Sequence, residues 1–300
     1  MSKNTDGGEK TKKEKEDKMT VTEKDGKVRI SGLEYFSVNQ TFDCGQCFRF
    51  DVDAGSAKGT AMGKEITFSQ ISDSEIEIYP CTAEEFETAW KSYLSLDEDY
   101  GKIRESLKNL RKEDKKLSEA METGKGIRIL RQSPFETLIS FIISQNNNIP
   151  RIKKLISALC AEGARISGGS EKEFPSPEVI MKIGIDGLRA IKTGFRAEYI
   201  VDAAEKVKSG EVDLGRIKGC TVEEGASELC KIRGVGPKVA ACTLLFGFEK
   251  YSSFPIDVWV KRVMKEYYGD SVGGKDFGEY AGLAQQYLFY RRRYIEENRK

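Results

Sequence analysis

The chain has 300 residues, with 49 Lys and Arg against 48 Asp and Glu, seven cysteines and no histidine. That length suits one large or two modest domains burying roughly 75% of the unfolded chain's surface. A net charge of +1 argues neither for nor against nucleic acid, whereas the missing histidine excludes Ser-His-Asp and Cys-His catalysis and His-ligated zinc, leaving Lys, Asp, Glu, Cys or Tyr for any chemistry.

Residues 1–18 carry no apolar residue between Met1 and Met19, and are expected to form a disordered charged tail because they cannot bury enough surface to order. No run approaches 18 apolar residues and no signal-peptide core follows Met1, so a soluble, non-secreted chain is expected: cytoplasmic or nucleoid in a prokaryote, nuclear in a eukaryote. Seven scattered cysteines read as reduced intracellular thiols.

From about 20 to 80 the pattern is short and alternating. Lys27-Val-Arg-Ile-Ser, Phe48-Arg-Phe-Asp-Val-Asp, Glu65-Ile-Thr-Phe-Ser and Glu75-Ile-Glu-Ile-Tyr predict an antiparallel sheet with one wet face. After Pro80 the period becomes helical. Thr82 and Glu85 have capping-box spacing, and Phe86, Trp90 and Leu94 repeat on one face. Helices are expected over 98–110, 112–123, 134–147, 149–161, 177–183, 195–209, 221–232, 237–247, 258–268 and 275–296. The fold class is therefore α+β: an antiparallel-sheet domain with trailing helices over 19–125, then a larger all-helical domain over 126–300. Residues 125–300 hold 29 basic against 22 acidic side chains, a modest excess that suits phosphate contact.

The densest stretch is Leu229 to Val260. A helix ends near Ile232, the chain turns at Gly234-Val235-Gly236, and Pro237 restarts a helix at a position where its missing N–H costs nothing. The glycines leave N–H groups uncovered at a helix N-terminus, a site for a phosphate oxygen. Lys238 falls in the first turn, where the positive dipole end disfavours a charged ammonium. Nineteen residues on, Asp257 stands at the expected N-cap of the next helix. Taken singly, these features also describe an αα-hairpin turn, a surface lysine and a cap; their order within one window points to a phosphate grip, an amine that could be held neutral and a returning carboxylate.

Leu229-x-x-Ile232-x-Gly234-Val235-Gly236-x-Lys238-x-Ala240, followed by Pro255-Ile256-Asp257-Val258, resembles the helix-hairpin-helix-GPD superfamily of base-excision glycosylases, whose glycosylase/lyase members carry that lysine. Four further stretches resemble the 8-oxoguanine DNA glycosylase/lyase family: Cys44-Gly45-Gln46-Cys47-Phe48-Arg49, Tyr93-Leu94-Ser95-Leu96-Asp97, Ser144-Gln145-Asn146-Asn147-Asn148-Ile149-Pro150-Arg151-Ile152 and Gly194-Phe195-Arg196-Ala197. The likeness runs from about residue 27 to about 290.

The resemblance implies a bifunctional DNA glycosylase and AP lyase, acting in base-excision repair on 8-oxoguanine in double-stranded DNA, preferably opposite cytosine. Lys238 would be the Schiff-base nucleophile and Asp257 would steady the oxocarbenium-like sugar. Gly45, Cys242, Gln285 and Phe289 would form the base pocket, the Gly45 carbonyl accepting the N7–H that guanine lacks. Cys242 and Phe289 would sandwich the base while Gln285 bonds its Watson–Crick edge. Asn146 would fill the gap left by the flipped base, and with Arg151 and Arg196 address the orphaned cytosine; Phe195 would be the aromatic wedge. Gly234, Val235 and Gly236 would grip a phosphate, and the carbonyls of Cys230, Ile232 and Val235 could hold a monovalent ion. No cofactor is implied, no cysteine follows Cys242 to build an iron–sulfur cluster, and the working form is expected to be a monomer without a membrane partner.

Two positions depart from the family's pattern. Trp259 stands where eukaryotic members carry a phosphate-contacting histidine, and Glu198 where a basic residue often follows the Arg-Ala pair. Cys44 and Cys47, read alone, are also a zinc half-site or redox pair, although no second pair lies at ribbon spacing. The alternatives are a sister enzyme for oxidised pyrimidines or alkylated purines, and a non-catalytic DNA-binding module using the hairpin alone.

Overall fold

The computed structural model describes residues 19–296, so the expected tail over 1–18 lies outside the described residues. Six strands run in the order β1-β2-β6-β5-β4-β3, all pairs antiparallel: β1 (Thr20–Lys24), β2 (Lys27–Ser31), β3 (Phe50–Asp53), β4 (Ser56–Ala61), β5 (Lys64–Ser72) and β6 (Glu75–Tyr79). The register aligns Val28 with Ile78 and Ile30 with Ile76. This puts Val28, Ile30, Ile66, Phe68, Ile76 and Ile78 on one fully buried face, while Lys27 and Glu77 pair at 2.8 Å on the other. The short helix α1 (Val38–Phe42) seals the apolar face, Phe42 stacking on Phe68 with centroids 4.9 Å apart.

Thr82 makes the expected capping box with Glu85, starting α2 (Ala83–Glu85), which continues through a π-turn over Phe86–Trp90 into α3 (Lys91–Tyr93). Phe86, Trp90 and Leu94 all face the sheet's core cluster. Then come α4 (Tyr100–Leu110), α5 (Lys115–Thr123), α6 (Pro134–Ser144), α7 (Ile149–Ser167), α8 (Pro177–Ala190), α9 (Arg196–Ser209), α10 (Leu214–Ile217), α11 (Val222–Leu229), α12 (Pro237–Phe248), α13 (Val258–Tyr268) and α14 (Ala281–Tyr290). Helices α6 and α12 are the centre of the second, larger core: seven consecutive residues of α6, Thr137 to Ile143, are buried, and α12 packs directly on it.

Several helix boundaries differ from expectation: the helix over 221–232 stops at Leu229, the one over 112–123 begins at Lys115, and four further differences have a local cause. The helix over 134–147 stops at Ser144, because Gln145 is extended and Asn146 adopts the left-handed region at φ +47°. The helix expected to end at 161 runs to Ser167, since Gly163 is a contact glycine and not a break: a Cβ there would sit 2.8 Å from the Pro175 ring. The expected end at 183 is a kink at Gly184 (φ +65°), after which α8 resumes. The segment 275–296 divides into a 3₁₀ run over Gly274–Tyr280, α14, and a π-turn over Arg291–Glu296, the first break falling at Gly278 (φ +64°).

The seam between the two cores is polar and fully engaged. Arg128, 5% exposed, donates to the carbonyls of Glu34, Tyr35, Ser95 and Glu98, its guanidinium lying over the Tyr100 ring at 4.3 Å. Gln46, 1% exposed, donates to Thr41 O and Arg128 O, both at 2.8 Å, and accepts from Leu130 N at 2.8 Å. These bonds fix the loop carrying Gly45 against the helical core. Among the described residues, no helix is long and apolar enough to cross a membrane.

Candidate active site

The hairpin has the sharp turn its glycines require. Gly234 sits at φ +77°, and a Cβ on it would fall 2.2 Å from the Tyr199 ring, so the position takes no side chain for two separate reasons. Val235 N donates to Ile232 O at 3.0 Å, closing the turn, and Arg233 N donates to Asp202 Oδ2 at 2.7 Å. Gly236 is the N-cap of α12 and supplies no side-chain acceptor, so the first-turn N–H groups are not capped from within the helix. Of the three carbonyls suggested for an ion, Ile232 O already accepts within the hairpin.

Lys238, half-buried in the first turn of α12, does not point to open water. Its Nζ donates to Ser144 Oγ at 3.3 Å and lies 4.9 Å from the centroid of the Phe141 ring, both on α6. One helical turn on, Cys242 is 3% exposed. Burial pushes its thiol up to about 11; the Lys238 ammonium beside it opposes that shift and the Asp257 carboxylate adds to it. Cys242 is therefore a neutral, apolar wall that feels both Lys238 and Asp257. Asp257 caps α13 as expected, its Oδ1 accepting from Val260 N at 2.8 Å.

Of the expected pocket residues, the structure brings Gly45 and Phe289 together. Gly45, at φ +80°, comes so close to Phe289 of α14 that a Cβ would touch its ring at 3.6 Å. Arg293 lies over Phe289 at 5.6 Å and over Trp259 at 5.9 Å, which ties the Gly45–Phe289 side of the pocket to the start of α13, two residues beyond Asp257. Gln285 is 3% exposed, and its Oε1 accepts from Gln286 Nε2 at 2.9 Å, while Gln286 Oε1 is buried without a hydrogen-bond partner. Cys44 and Cys47 are both buried, and burial raises both thiols, Cys44 to about 12. Thiols held protonated are poor metal ligands and poor redox nucleophiles.

The gap and wedge residues gather at the end of α6. Asn146 and Arg151 are exposed, and Phe195 is 49% exposed at the start of α9, its ring edge-on to Tyr199 at 5.8 Å. Arg196 behaves differently: it is 3% exposed, and its guanidinium donates to the carbonyls of Thr193, Gln145 and Asn146. Glu198 bridges two arginines, Arg189 at 3.0 Å and Arg233 at 2.9 Å. The sequence reading missed Ser144, Phe141, Gln46, Gln286 and Tyr199. Of these only Ser144 and Gln46 lay inside a quoted motif, and nothing local marked the others.

Residues 28–138 match the model for the N-terminal domain of 8-oxoguanine DNA glycosylase, and residues 139–275 that of the HhH-GPD superfamily of base excision DNA repair proteins. The N-glycosylase/DNA lyase OGG1 of Arabidopsis thaliana is 33% identical over 201 residues, which is 59% of this chain and 55% of the Arabidopsis protein; the match thus spans about half of that relative. Among solved structures, MBOgg1 in complex with a low-affinity DNA ligand is 39% identical with a TM-score of 0.84, covering 93% of this chain and 99% of the other. The 8-oxoguanine glycosylase/lyase of Clostridium acetobutylicum, bound to double-stranded DNA with cytosine opposite 8-oxoguanine, is 37% identical with a TM-score of 0.82, covering 95% and 100%.

Proposed function

Since this chain belongs to the 8-oxoguanine DNA glycosylase family, we propose that it is a DNA repair N-glycosylase with lyase activity that excises 8-oxoguanine from duplex DNA through a Schiff base on Lys238, preferring cytosine as the opposite base. The observation that carries this reading is the placement of the Lys238 amine: half-buried, hydrogen-bonded to Ser144, next to the neutral thiol of Cys242, and sharing that surrounding with Asp257.

In the reaction the flipped nucleotide enters between Cys242 and Phe289, with Gly45 O facing N7–H. The lone pair of Lys238 Nζ attacks C1′ as the C1′–N9 bond breaks, and the base leaves with the electron pair and takes up the proton that Nζ sheds on bonding to C1′. The Asp257 carboxylate stabilises the positive charge on the sugar during this exchange. Ring opening gives an iminium between Nζ and C1′. Loss of a C2′ proton then expels the 3′ phosphate by breaking C3′–O, and hydrolysis returns the lysine. Flipping costs a few kcal/mol, which insertion of Asn146 and the Phe195 wedge offsets.

An excision panel with duplexes carrying 8-oxoguanine, thymine glycol or 3-methyladenine tests the substrate. Release of 8-oxoguanine alone supports the reading; release of thymine glycol alone excludes it in favour of a pyrimidine-specific sister enzyme.

A further inference from the structure

We propose that Gln286 is a positioning residue that fixes which end of the Gln285 amide faces the base, and that this lock lets the pocket tell the Watson–Crick edge of 8-oxoguanine from that of 8-oxoadenine; the proposal deepens the glycosylase reading and rests on it. Gln286 is 4% exposed and Gln285 3%, and Nε2 of Gln286 donates to Oε1 of Gln285 at 2.9 Å. Consecutive side chains on a helix ordinarily point apart, yet these two buried amide heads meet. Gln285 shares a face of α14 with Phe289, one turn on, whose ring lies against Gly45. An amide oxygen has two lone pairs, so the bond from Gln286 leaves Oε1 of Gln285 able to accept from a ligand as well.

Packing does not account for an amide at position 286. Its Oε1 is buried without a hydrogen-bond partner, a cost that an apolar side chain of the same size would avoid. The bond to Gln285 gives the amide a use. A flipped base is read by hydrogen bonds to its Watson–Crick edge. Guanine donates there from N1–H and its exocyclic amine, whereas adenine accepts at N1, so an oxygen suits the first and an NH2 group the second. Both 8-oxo purines carry the N7–H assigned to the Gly45 carbonyl, and that contact cannot separate them. Reversing Gln285 alone would set its NH2 against the NH2 of Gln286, donor to donor. Reversing both would restore their bond, but two buried side chains would have to turn together in a close-packed interior.

The test uses full-length protein in single-turnover excision from duplexes carrying 8-oxoguanine or 8-oxoadenine opposite cytosine, with side-chain amide exchange on the free enzyme. Wild-type protein should favour 8-oxoguanine. Gln286→Met, which keeps the volume, should slow excision of 8-oxoguanine about tenfold, the effect of one lost hydrogen bond, while the rate on 8-oxoadenine does not fall. In a Gln285→Met background the same substitution should change neither rate, because Gln286 acts only through Gln285. The Gln286 NH2 should exchange slowly in wild-type protein and faster in Gln285→Met. Equal losses on the two lesions, additive effects in the double variant, or a wild-type protein that removes both lesions equally would each overturn the proposal; if Gln286→Met does not fold, the same comparison in Gln286→Ala decides it. If wild-type protein removes neither lesion, it is the glycosylase reading that fails, and exchange of the Gln286 amide with and without Gln285 still decides whether the lock exists.

Discussion

The Nζ of Lys238 lies 3.3 Å from Ser144 Oγ, joining the amine at the start of α12 to the last residue of α6. Ser144 Oγ also donates to Phe141 O at 2.8 Å, so the hydroxyl is oriented to present its lone pair to the lysine. Two residues further on is Asn146. The proposed nucleophile and the proposed gap-filler are thus anchored to the same helix end.

Ser144→Ala removes that acceptor while keeping Phe141 beneath the amine. Schiff-base formation by the neutral amine should slow about tenfold, because Nζ loses the contact that orients it, with substrate affinity unchanged. Single-turnover trapping with saturating DNA measures it; an unaltered rate would mean the amine does not use this contact.

Asp257 has two functions that substitution separates. Asparagine caps a helix as well as aspartate does, so Asp257→Asn should leave thermal stability close to wild type while excision falls on the order of a hundredfold for want of the carboxylate charge. Asp257→Ala should lose the same activity and about 1 kcal/mol of stability as well. Paired denaturation and excision measurements check both; an active Asp257→Asn would show that the residue is only a cap.

Gly234→Ala places a methyl against the Tyr199 ring and forces a side chain into left-handed backbone. The conformation alone costs about 1–2 kcal/mol. Affinity for undamaged duplex should fall along with excision, because the phosphate grip is distorted. Tyr199→Leu in the same background relieves the clash without relieving the φ penalty, so binding should recover only in part, as filter binding or fluorescence anisotropy would read.

Cys242 gives a pH signature. Burial raises its thiol from 9.0 to about 11 in the folded protein, so the folded state keeps the proton longer than the unfolded chain does. Its contribution to stability is whole below pH 9 and is lost as pH climbs through about 11. Wild-type protein should therefore lose more stability between pH 9 and 11 than Cys242→Ala does, a difference that urea midpoints at the two pH values resolve. Below pH 9, alkylating reagents should label the exposed Cys230 before Cys242.

The hairpin was legible because its chemistry is local: Gly234, Gly236, Pro237 and Lys238 each need a particular backbone, and all fall within five residues. The capping box at Thr82 and the cap at Asp257 were legible for the same reason. Contacts across long separations were not. Ser144 meets Lys238 across 94 residues, Gln46 meets Arg128 across 82, and Tyr199 meets Gly234 only once α9 packs on the hairpin. Gly163 misled because a glycine needed for contact with Pro175 looks, in sequence, like one that ends a helix. Arg196 was assigned to the opposite base by resemblance alone; its burial and its three carbonyl partners appear only when the end of α6 and the start of α9 are brought together.

The central claim concerns one amine, and borohydride trapping tests it most directly. Wild-type protein mixed with a duplex carrying 8-oxoguanine opposite cytosine, then reduced, should give a covalent protein–DNA adduct whose modified residue maps to Lys238. Lys238→Gln should still bind the duplex but give neither adduct nor strand cleavage. An adduct of wild-type yield from Lys238→Gln, or one mapping to another residue, would contradict the account.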